Sequence, residues 1–259
     1  MGIRLDKVSY KDKIKNISYE FEDGKITSVI GASYSGKSLL SYLISGIIDN
    51  YDGNIVNPYS NREIGYVFEK PEEAFIFNTV REELSFGIKM YNYRTSEIDK
   101  RMKEALKMVG LPISYLDRNP FTLSSGEMEA LSLAEVLILN PKVIIIDNPS
   151  VGLDNDRCDK LVKLIKKLST KYKKTVIVFS SDMDFLLRVM DNYLLLKNGK
   201  VFLEGNRKNL IRDINKFKSA NVGSFRIIDF ISTVNKKYNV NLEYTLDIKE
   251  LMKDIYRNV

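Results

Sequence analysis

Eight consecutive residues carry the strongest chemical signal in this chain. Residues 31 to 38 read Gly-Ala-Ser-Tyr-Ser-Gly-Lys-Ser and follow the apolar run Ile26 to Ile30. This is the G-x-x-x-x-G-K-[ST] pattern of a phosphate-binding P-loop, placed where a strand runs into a helix. Glycine lets such a loop bend so that successive backbone N–H groups point inward at an anion. The pattern therefore predicts a nucleoside triphosphate as the ligand.

Individual residues of this loop have separate expected tasks. Lys37 is expected to reach the β- and γ-phosphates, and the Ser38 hydroxyl to bind Mg²⁺. A helix that begins near Lys37 adds its positive N-terminal end. The other candidate phosphate-binding residues of the loop are Gly31, Ser33, Ser35 and Gly36. These residues alone predict phosphate binding and leave hydrolysis as a separate question.

The elements that must position this loop alternate between strands and helices. Strands are expected at Ile3–Tyr10, Ile17–Phe21, Gly53–Val56, Ile64–Phe68, Val143–Ile146, Val176–Phe179, Tyr193–Leu196 and Val201–Leu203. Helices are expected at residues 37–48, 79–91, 96–109, 124–139, 156–167 and 183–190, with a polar-amphipathic helical tail after Gly205. The continuous apolar run Val143–Ile146 is typical of a parallel strand that is buried on both faces.

Composition places bounds on the class of protein. The chain has 259 residues, of which 44% are hydrophobic and 29% charged, as in a globular protein. A single cysteine, Cys158, excludes an internal disulfide and fits a reducing compartment. No apolar run approaches the roughly 18 residues that span a bilayer, so a soluble chain is expected, with any membrane role supplied by partners. The net charge of +6 comes without an aromatic-interleaved basic stripe, so no nucleic-acid partner is expected.

Further motifs follow the P-loop in a fixed order: Gly65–Pro71, Leu123–Glu127, Val143–Asp147 and Val151–Asp154. In this order the chain resembles the ATP-binding cassette (ABC) ATPases, in which these segments are the Q-loop, the signature motif, the Walker B strand and the D-loop. The resemblance implies an α/β P-loop NTPase core with a parallel sheet, an antiparallel β subdomain and an inserted helical subdomain near residues 72–138. It also implies a nucleotide-binding domain over residues 1–205, and a C-terminal helical extension over 206–259 that is a candidate dimerisation element.

The chain resembles in particular the ATPase subunits of energy-coupling factor (ECF) importers. Phe68–Pro71 leading into Thr79–Glu83 is similar to their Q-loop and the helix after it. The hairpin Lys197–Gly205 and a tail ending in Thr245–Met252 are similar to their C-terminal extension. This likeness implies ATP and Mg²⁺ as cofactors, a transmembrane coupling protein as partner, and a peripheral position on the cytoplasmic face of the membrane. Residues 75–77 are then expected to form an exposed apolar docking tip, or alternatively to pack inside the helical subdomain.

The resemblance breaks at the catalytic positions. Asn148 follows the Walker B aspartate, Asp147, where the family carries a glutamate that acts as general base. Ser181 stands where the family has its switch histidine, and the chain contains no histidine at all. The Q-loop glutamine is replaced by Glu69, which we expect to bind Mg²⁺ or to orient water.

The signature and the adenine contact depart from the pattern as well. The signature has Ser125 and Glu127 in place of glycine and glutamine. The family's adenine-stacking aromatic would fall near Asp12, and Tyr10 is the nearest candidate, although it is out of register.

These departures predict that the chain binds MgATP, through Ser38 and Asp147 at the metal, and hydrolyses it slowly. A positioned general base typically contributes 10²–10⁴-fold to a rate. In this family each ATP lies between the P-loop of one cassette and the signature of the other, and Ser124 and Gly126 are retained here. The expected arrangement is therefore a heterodimer with a catalytically intact paralogue. A homodimer with weak turnover and a wholly inactivated paralogue are the alternatives.

Two other functional classes are alternatives to the importer subunit. A non-transport ABC protein, acting as a nucleotide-gated binding or regulatory module, is the main alternative to the importer subunit. Such proteins usually need two cassettes in one chain or a long coiled-coil insertion, and neither is found here. A P-loop kinase is disfavoured by the signature-like segment and by the D-loop.

Overall fold

The computed structural model describes residues 2–91, 93–223, 225–246 and 248–258, except for the side chains of residues 95 and 258. Its strands are β1 (Ile3–Tyr10), β2 (Ile14–Phe21), β3 (Ile26–Gly31), β4 (Asp52–Val56), β5 (Ile64–Val67), β6 (Val143–Asp147), β7 (Thr175–Ser180), β8 (Asn192–Lys197) and β9 (Lys200–Asn206). Its α-helices are α1 (Lys37–Ser45), α2 (Val80–Met90), α3 (Thr95–Val109), α4 (Ser125–Leu137), α5 (Asn155–Thr170), α6 (Met183–Val189), α7 (Leu210–Ser219), α8 (Arg226–Tyr238) and α9 (Ile248–Asn258).

A six-stranded sheet forms the centre of the molecule. Its strand order is β5-β6-β7-β3-β8-β9, and every neighbouring pair is parallel except the antiparallel hairpin β8–β9. The residues of β3, β6 and β7 are all buried, because helices cover both faces of a parallel sheet. The carboxyl ends of neighbouring parallel strands meet at one edge of the sheet, and ligands commonly bind at that edge. This edge carries the loops that follow β3, β5, β6 and β7.

A second, antiparallel sheet packs against one face of the central sheet. Its strand order is β2-β1-β4. Its apolar residues, such as Leu5 and Ile17, share a core with α1 and with Val29 and Ile145 of the central strands. Helix α1, which begins at the P-loop lysine, is thereby held between the two sheets. This arrangement confirms the predicted α/β fold with an antiparallel β subdomain.

Helices α2, α3 and α4 form a subdomain with an apolar core of its own. Leu84, Met102 and Leu131, one from each helix, are nearly inaccessible to solvent within it. Phe75 also packs into this core, with 5% of its surface exposed, whereas Ile76 is 66% exposed. Of the two alternatives for residues 75–77, packing inside the helical subdomain holds for Phe75, and the exposed tip holds for Ile76.

The C-terminal helices share the core of the central sheet. Phe217 of α7 and Ile231 of α8 belong to the same apolar cluster as Ile144 of β6 and Val176 of β7. Tyr193 of β8 donates a hydrogen bond to Asp213 of α7 over 2.6 Å, and both side chains are buried. Residues 224, 247 and 259 of the extension lie outside the described part of the chain. The division into domains at residue 205 remains a prediction, since the apolar packing is continuous across it.

Most helices and strands begin and end within a few residues of the positions predicted from the sequence. The predicted helix over residues 37–48 ends earlier, at Ser45, because Gly46 adopts a left-handed conformation (φ +77°) that terminates it. Strand β2 begins at Ile14, three residues before the predicted start, and continues through Asn16 at φ +55°. Across the described residues, no helix is both long and apolar enough to cross a membrane.

Candidate functional site

The P-loop connects β3 to α1 in a tightly constrained conformation. Tyr34 and Gly36 both adopt positive φ angles, +63° and +103°. Glycine tolerates such an angle without steric cost, whereas a tyrosine rarely adopts it. A Cβ atom on Gly31 would lie 2.3 Å from the Ser35 hydroxyl, so this position has no room for a side chain. The Ser35 hydroxyl is buried and has no hydrogen-bond partner among the described residues. The loop is thus built around small residues, as a phosphate cradle requires.

Lys37 directs its ammonium group into this loop. Its Nζ atom donates to the carbonyl oxygen of Gly31 over 2.7 Å and to that of Ala32 over 3.1 Å. Burial lowers the pKa of Lys37, and the negative charges of Asp147 and Glu69 oppose this shift. A partly desolvated cation that is held by neutral carbonyls interacts strongly with an incoming phosphate. Ser33, by contrast, is exposed on the outside of the loop.

Asp147 lies at the end of β6, with only 3% of its surface exposed. Burial raises the pKa of this carboxyl group, and nearby Glu69 adds to the rise, while the hydroxyl groups of Ser38 and Tyr66 and the charge of Lys37 oppose it. The Oδ2 atom accepts a hydrogen bond from Tyr66 over 3.3 Å, and the buried Oδ1 atom has no partner among the described residues. An unpaired buried carboxylate oxygen beside a serine hydroxyl fits Mg²⁺, which takes oxygen ligands.

This donor set is small. Within the described part of the chain, no group of three or more histidine, cysteine or carboxylate side chains is placed to hold a metal ion. Mg²⁺ in nucleotide sites is usually held by one or two protein oxygens together with substrate phosphates and water. Ser38 and Asp147 therefore suit a metal that arrives with the nucleotide.

Tyr66 is a member of the site that the sequence motifs alone did not identify. It lies on β5, and its hydroxyl contacts both Asp147 Oδ2 and the Ser41 hydroxyl, the latter at 2.8 Å. Burial raises the pKa of Tyr66, so the phenol stays protonated. It donates to the Walker B carboxylate and fixes its orientation. The available signal was a tyrosine one residue before the end of β5, the strand that neighbours β6 and leads into the Q-loop.

Glu69 and Asn148 contact each other directly. The Asn148 side-chain amide donates to the Glu69 carboxylate over 3.1 Å. Asn148 has a left-handed backbone (φ +46°), and its own N–H donates to the carbonyl of Phe179 on β7 over 2.8 Å. The structure therefore brings together a Q-loop carboxylate and the amide that stands after Walker B. Glu69 is exposed at the mouth of the site, and its charge also acts on Lys37 and Asp147.

Ser181 follows β7 and is exposed to solvent. Its neighbour Ser180 is buried at the end of the strand and accepts a hydrogen bond from the N–H of Asp182 over 3.0 Å. Asp182 caps the start of α6 by accepting from the N–H of Phe185. The serine at the histidine position thus lies at the strand edge where the other candidate residues also lie, with a short hydroxyl that extends less far than an imidazole.

The signature segment is at the start of α4. Ser124 and Glu127 form a capping box: the Glu127 carboxylate accepts from the Ser124 N–H over 2.9 Å and from its hydroxyl over 2.7 Å. Gly126 is half-buried against the side chain of Arg157, which belongs to α5. Ser124 is hydrogen-bonded to Glu127 and Arg157, whereas Lys37 of the P-loop is hydrogen-bonded to the carbonyl of Gly31. The signature segment and the P-loop therefore have separate hydrogen-bond partners among the described residues.

A cavity of about 380 Å³ opens beside the P-loop. Its lining residues are Lys13, Tyr34, Gly36, Lys37, Ser38 and Leu39. Tyr34 is fully exposed, whereas Tyr10, the predicted adenine contact, is half-buried against the core of the antiparallel sheet. Lys11 also lies over the Tyr10 ring, at 5.0 Å from its centre. The aromatic side chain that borders the cavity is therefore Tyr34, whose position inside the P-loop was the available signal.

The β8–β9 turn supports the P-loop from behind. The N–H of Gly199 donates to the carbonyl of Ser35 over 3.0 Å, and the Gly199 carbonyl accepts from the N–H of Lys15 over 2.8 Å. Gly199 has φ +76°, and a Cβ atom there would lie 1.9 Å from the Lys13 carbonyl oxygen. The turn thus ties the central sheet to β2 at the point where the loop bends.

Comparison with known proteins gives the same assignment as the motifs. A family model described as "ABC transporter" matches residues 14–151. The energy-coupling factor transporter ATP-binding protein EcfA of Methanocaldococcus jannaschii is 29% identical over 254 residues, which cover 93% of this chain and 90% of that protein.

Two solved structures are similar along most of their length. The structure of cbiO1 from Clostridium perfringens, described as part of the ABC transporter complex cbiONQ, matches with a TM-score of 0.74 and 26% identity, over 92% of this chain and 95% of that one. The ATP-binding cassette MJ0796, in a dimeric post-hydrolysis state bound to ADP and Pi, matches with a TM-score of 0.69 and 27% identity, over 79% and 98%.

Proposed function

Because this chain belongs to the ABC transporter family, we propose that it is the ATP-binding subunit of an ECF-type importer whose own hydrolytic site is degenerate. The observation that carries this proposal is the site at the ends of β3 and β6. There a P-loop lysine and an unpaired buried carboxylate oxygen occur beside an asparagine that cannot act as a base. The relatives named for energy-coupling factor transport support the transporter type.

The P-loop residues have different roles in binding ATP. Backbone N–H groups around Gly31, Ser33, Ser35 and Gly36 surround the phosphates, and the N-terminus of α1 adds its dipole. Lys37 leaves the carbonyls of Gly31 and Ala32 for the β- and γ-phosphates. Ser38 and Asp147 hold Mg²⁺, which would neutralise phosphate charge when bound. Tyr66 keeps the Asp147 carboxylate in place through its hydrogen bond.

Hydrolysis at this site is slow because two polar groups of the family pattern are missing. Asn148 is neutral and accepts no proton from an attacking water. Ser181 has neither the reach nor the charge of a histidine toward the γ-phosphate. Loss of a positioned general base alone costs on the order of 10²–10⁴-fold in rate.

Glu69 partly compensates for the missing base. Its carboxylate lies 3.1 Å from the Asn148 amide, close enough to be held in one orientation, and it is exposed toward the site. From there it orients water or adds an oxygen ligand to Mg²⁺. Its charge already acts on Asp147 and Lys37, which places it within electrostatic range of both groups.

The functional unit is a pair of cassettes on a membrane partner. The signature segment of this chain, around Ser124 and Gly126, completes the ATP site of a second, catalytically intact cassette, which carries most of the turnover. Ile76 and Phe86 are exposed beside the Q-loop and offer an apolar contact for a transmembrane coupling protein. The chain is thereby held at the cytoplasmic face of the membrane.

The experiment has two parts. Titration calorimetry of the full chain with MgATP should show binding that Lys37→Ala weakens by about 10-fold or more, because a charge-assisted contact to phosphate is lost. Lys218→Ala, which removes an exposed lysine of α7, is the control. Steady-state turnover of the isolated chain should stay below about 1 s⁻¹, the lower end of ordinary enzymes.

Purification through a tag on this chain, from detergent-solubilised membranes, should recover a second cassette with glutamate and histidine at the two positions, together with an integral membrane protein. Recovery with cytosolic partners alone would support a non-transport regulatory module and contradict the importer assignment. Turnover of the isolated chain above about 1 s⁻¹ would contradict the degenerate site.

A further inference from the structure

Arg157 covers the signature residues from the neighbouring helix. It lies in the first turn of α5, three residues after Asp154, and its Nη1 atom donates to the Ser124 hydroxyl over 3.0 Å. A Cβ atom at Gly126 would lie 2.4 Å from the same Nη1 atom, so the guanidinium packs directly on that glycine. The side chain is one-third exposed. It therefore occupies the space in front of both residues that the proposed function assigns to the partner's ATP.

The Ser124 hydroxyl already donates its proton to a hydrogen bond within this chain. It donates to the Glu127 carboxylate over 2.7 Å, and its oxygen accepts from Arg157. A hydroxyl group has one proton to donate and lone pairs to accept. In this arrangement Ser124 presents only lone pairs outward, and lone pairs repel a phosphate oxygen. The replacement of glutamine by Glu127 thus removes the serine as a phosphate donor.

Arg157 has the donors that Ser124 lacks. It forms two long ion pairs, with the Asp154 carboxylate at 3.5 Å and with the Glu127 carboxylate at 3.9 Å. The Glu127 carboxylate is already satisfied by the Ser124 N–H and hydroxyl and by the Tyr115 hydroxyl. A guanidinium carries five N–H donors in a planar fork that matches phosphate, and it remains charged at every physiological pH. Its side-chain hydrogen bond at 3.0 Å goes to a neutral hydroxyl, which is a weaker acceptor than a phosphate oxygen.

We propose that Arg157 is the donor which this chain's signature offers to the terminal phosphate of the ATP held by the partner cassette's P-loop. The inference rests on the proposed function, because it requires a second cassette. The guanidinium turns from the Ser124 oxygen to the phosphate when the cassettes close. It selects ATP over ADP, since only ATP carries the phosphate that it contacts.

The test uses the cassette pair as purified through a tag on this chain, with ATP and ADP titrated separately and ATP turnover recorded. Arg157→Ala should raise the ATP concentration for half-saturation by about 10-fold or more and leave ADP affinity unchanged. Arg157→Lys keeps the charge without the fork and should recover part of the loss. Ser124→Ala should have the smaller effect of the two alanine variants.

Arg188→Ala is the matched control, because Arg188 pairs with Asp159 on the far side of α5 and should leave ATP affinity unchanged. Three results would overturn the proposal: unchanged ATP affinity in Arg157→Ala, tighter ATP binding in that variant, or a Ser124→Ala defect larger than the arginine defect. Failure of the chain to pair with any cassette would overturn the proposed function, and this inference with it. A cassette pair that is insensitive to Arg157 would overturn this inference alone.

Discussion

A carboxylate and an amide have exchanged places between residues 69 and 148. The family pattern has glutamine in the Q-loop and glutamate after Walker B, whereas this chain has Glu69 and Asn148 in hydrogen-bond contact at 3.1 Å. The pair keeps one negative charge in total, and that charge stands on the Q-loop side. This pair is therefore rearranged, and its total charge is preserved.

Exchanging the two side chains back should restore part of the turnover. We expect Asn148→Glu alone to gain little, because two carboxylates in contact cannot both ionise and one is held protonated. The double variant Glu69→Gln with Asn148→Glu should exceed the parent by about 10-fold or more in steady-state ATP turnover of the cassette pair. Glu73→Gln, at an exposed glutamate that pairs with Lys70, serves as control. A double variant no faster than Asn148→Glu alone would contradict the exchange.

A buried glutamate should make stability depend on pH. Burial raises the pKa of Glu129 to about 8, and the charge of Glu72 adds to this rise. The unfolded chain releases this proton near the ordinary carboxyl pKa of about 4.5, whereas the folded chain keeps it. The free energy of unfolding should therefore fall as pH rises from about 4.5 to about 8, and level off above.

Glu129→Gln removes this ionisation while keeping the side-chain shape. Its melting temperature should fall less than that of the parent over the same pH interval, and the variant should be the more stable one at high pH. Glu104→Gln, at an exposed position of α3, should change nothing. Parallel stability profiles for parent and Glu129→Gln, measured by thermal melts in a series of buffers, would refute the assignment.

At the scale of elements, the β8–β9 turn is part of the nucleotide site, although it is distant in sequence. We expect Gly199→Ala to destabilise the fold by about 2 kcal/mol, because it combines a strained left-handed backbone with a clash against Lys13. It should also weaken MgATP binding, since the turn holds the Ser35 carbonyl.

Gly110→Ala separates strain from clash in the same experiment. Gly110 also has a positive φ of +81°, but a Cβ atom there meets nothing within 4 Å. Chemical denaturation should therefore show a smaller loss for this variant, and nucleotide titration should show none. Equal losses of ATP affinity in both variants would exclude a specific role for the turn.

Local sequence patterns predicted the helices and strands well, but they did not predict the side-chain contacts between those elements. The run Val143–Ile146 is buried as a parallel strand because all its residues are apolar. The contacts of Tyr66 with Asp147 and of Arg157 with Ser124 join residues that are 81 and 33 positions apart. Hydrophobic periodicity carries no information on such pairs. Tyr66 lies within the Q-loop segment Gly65–Pro71, but that motif assigned it no role, and Arg157 lies outside the motifs. The sequence left Phe75 either exposed or packed for the same reason, since its burial depends on the packing of three helices.

At the scale of the whole molecule, the C-terminal helices are fastened to the central sheet by a buried polar contact. Tyr193→Phe removes the donor to Asp213 and should lower the free energy of unfolding by about 1–3 kcal/mol, because a buried carboxylate loses a partner. ATP affinity should be unchanged, since β8 contacts α7 away from the P-loop. Urea denaturation and nucleotide titration give the two readouts.

Tyr238→Phe provides the comparison, because that tyrosine of α8 is 60% exposed. It should leave the denaturation midpoint unchanged. If Tyr193→Phe were as stable as the parent, the Tyr193–Asp213 hydrogen bond would contribute nothing to the attachment of the extension.

The exposed ring of Tyr34 makes the nucleotide site accessible to optical measurement. The chain contains no tryptophan, and this tyrosine projects fully into solvent from the middle of the P-loop. A Tyr34→Trp substitution would therefore introduce a single indole at the mouth of the cavity, against a background of tyrosine emission alone. In the isolated chain its fluorescence would report occupancy of the P-loop cavity directly, without an added label.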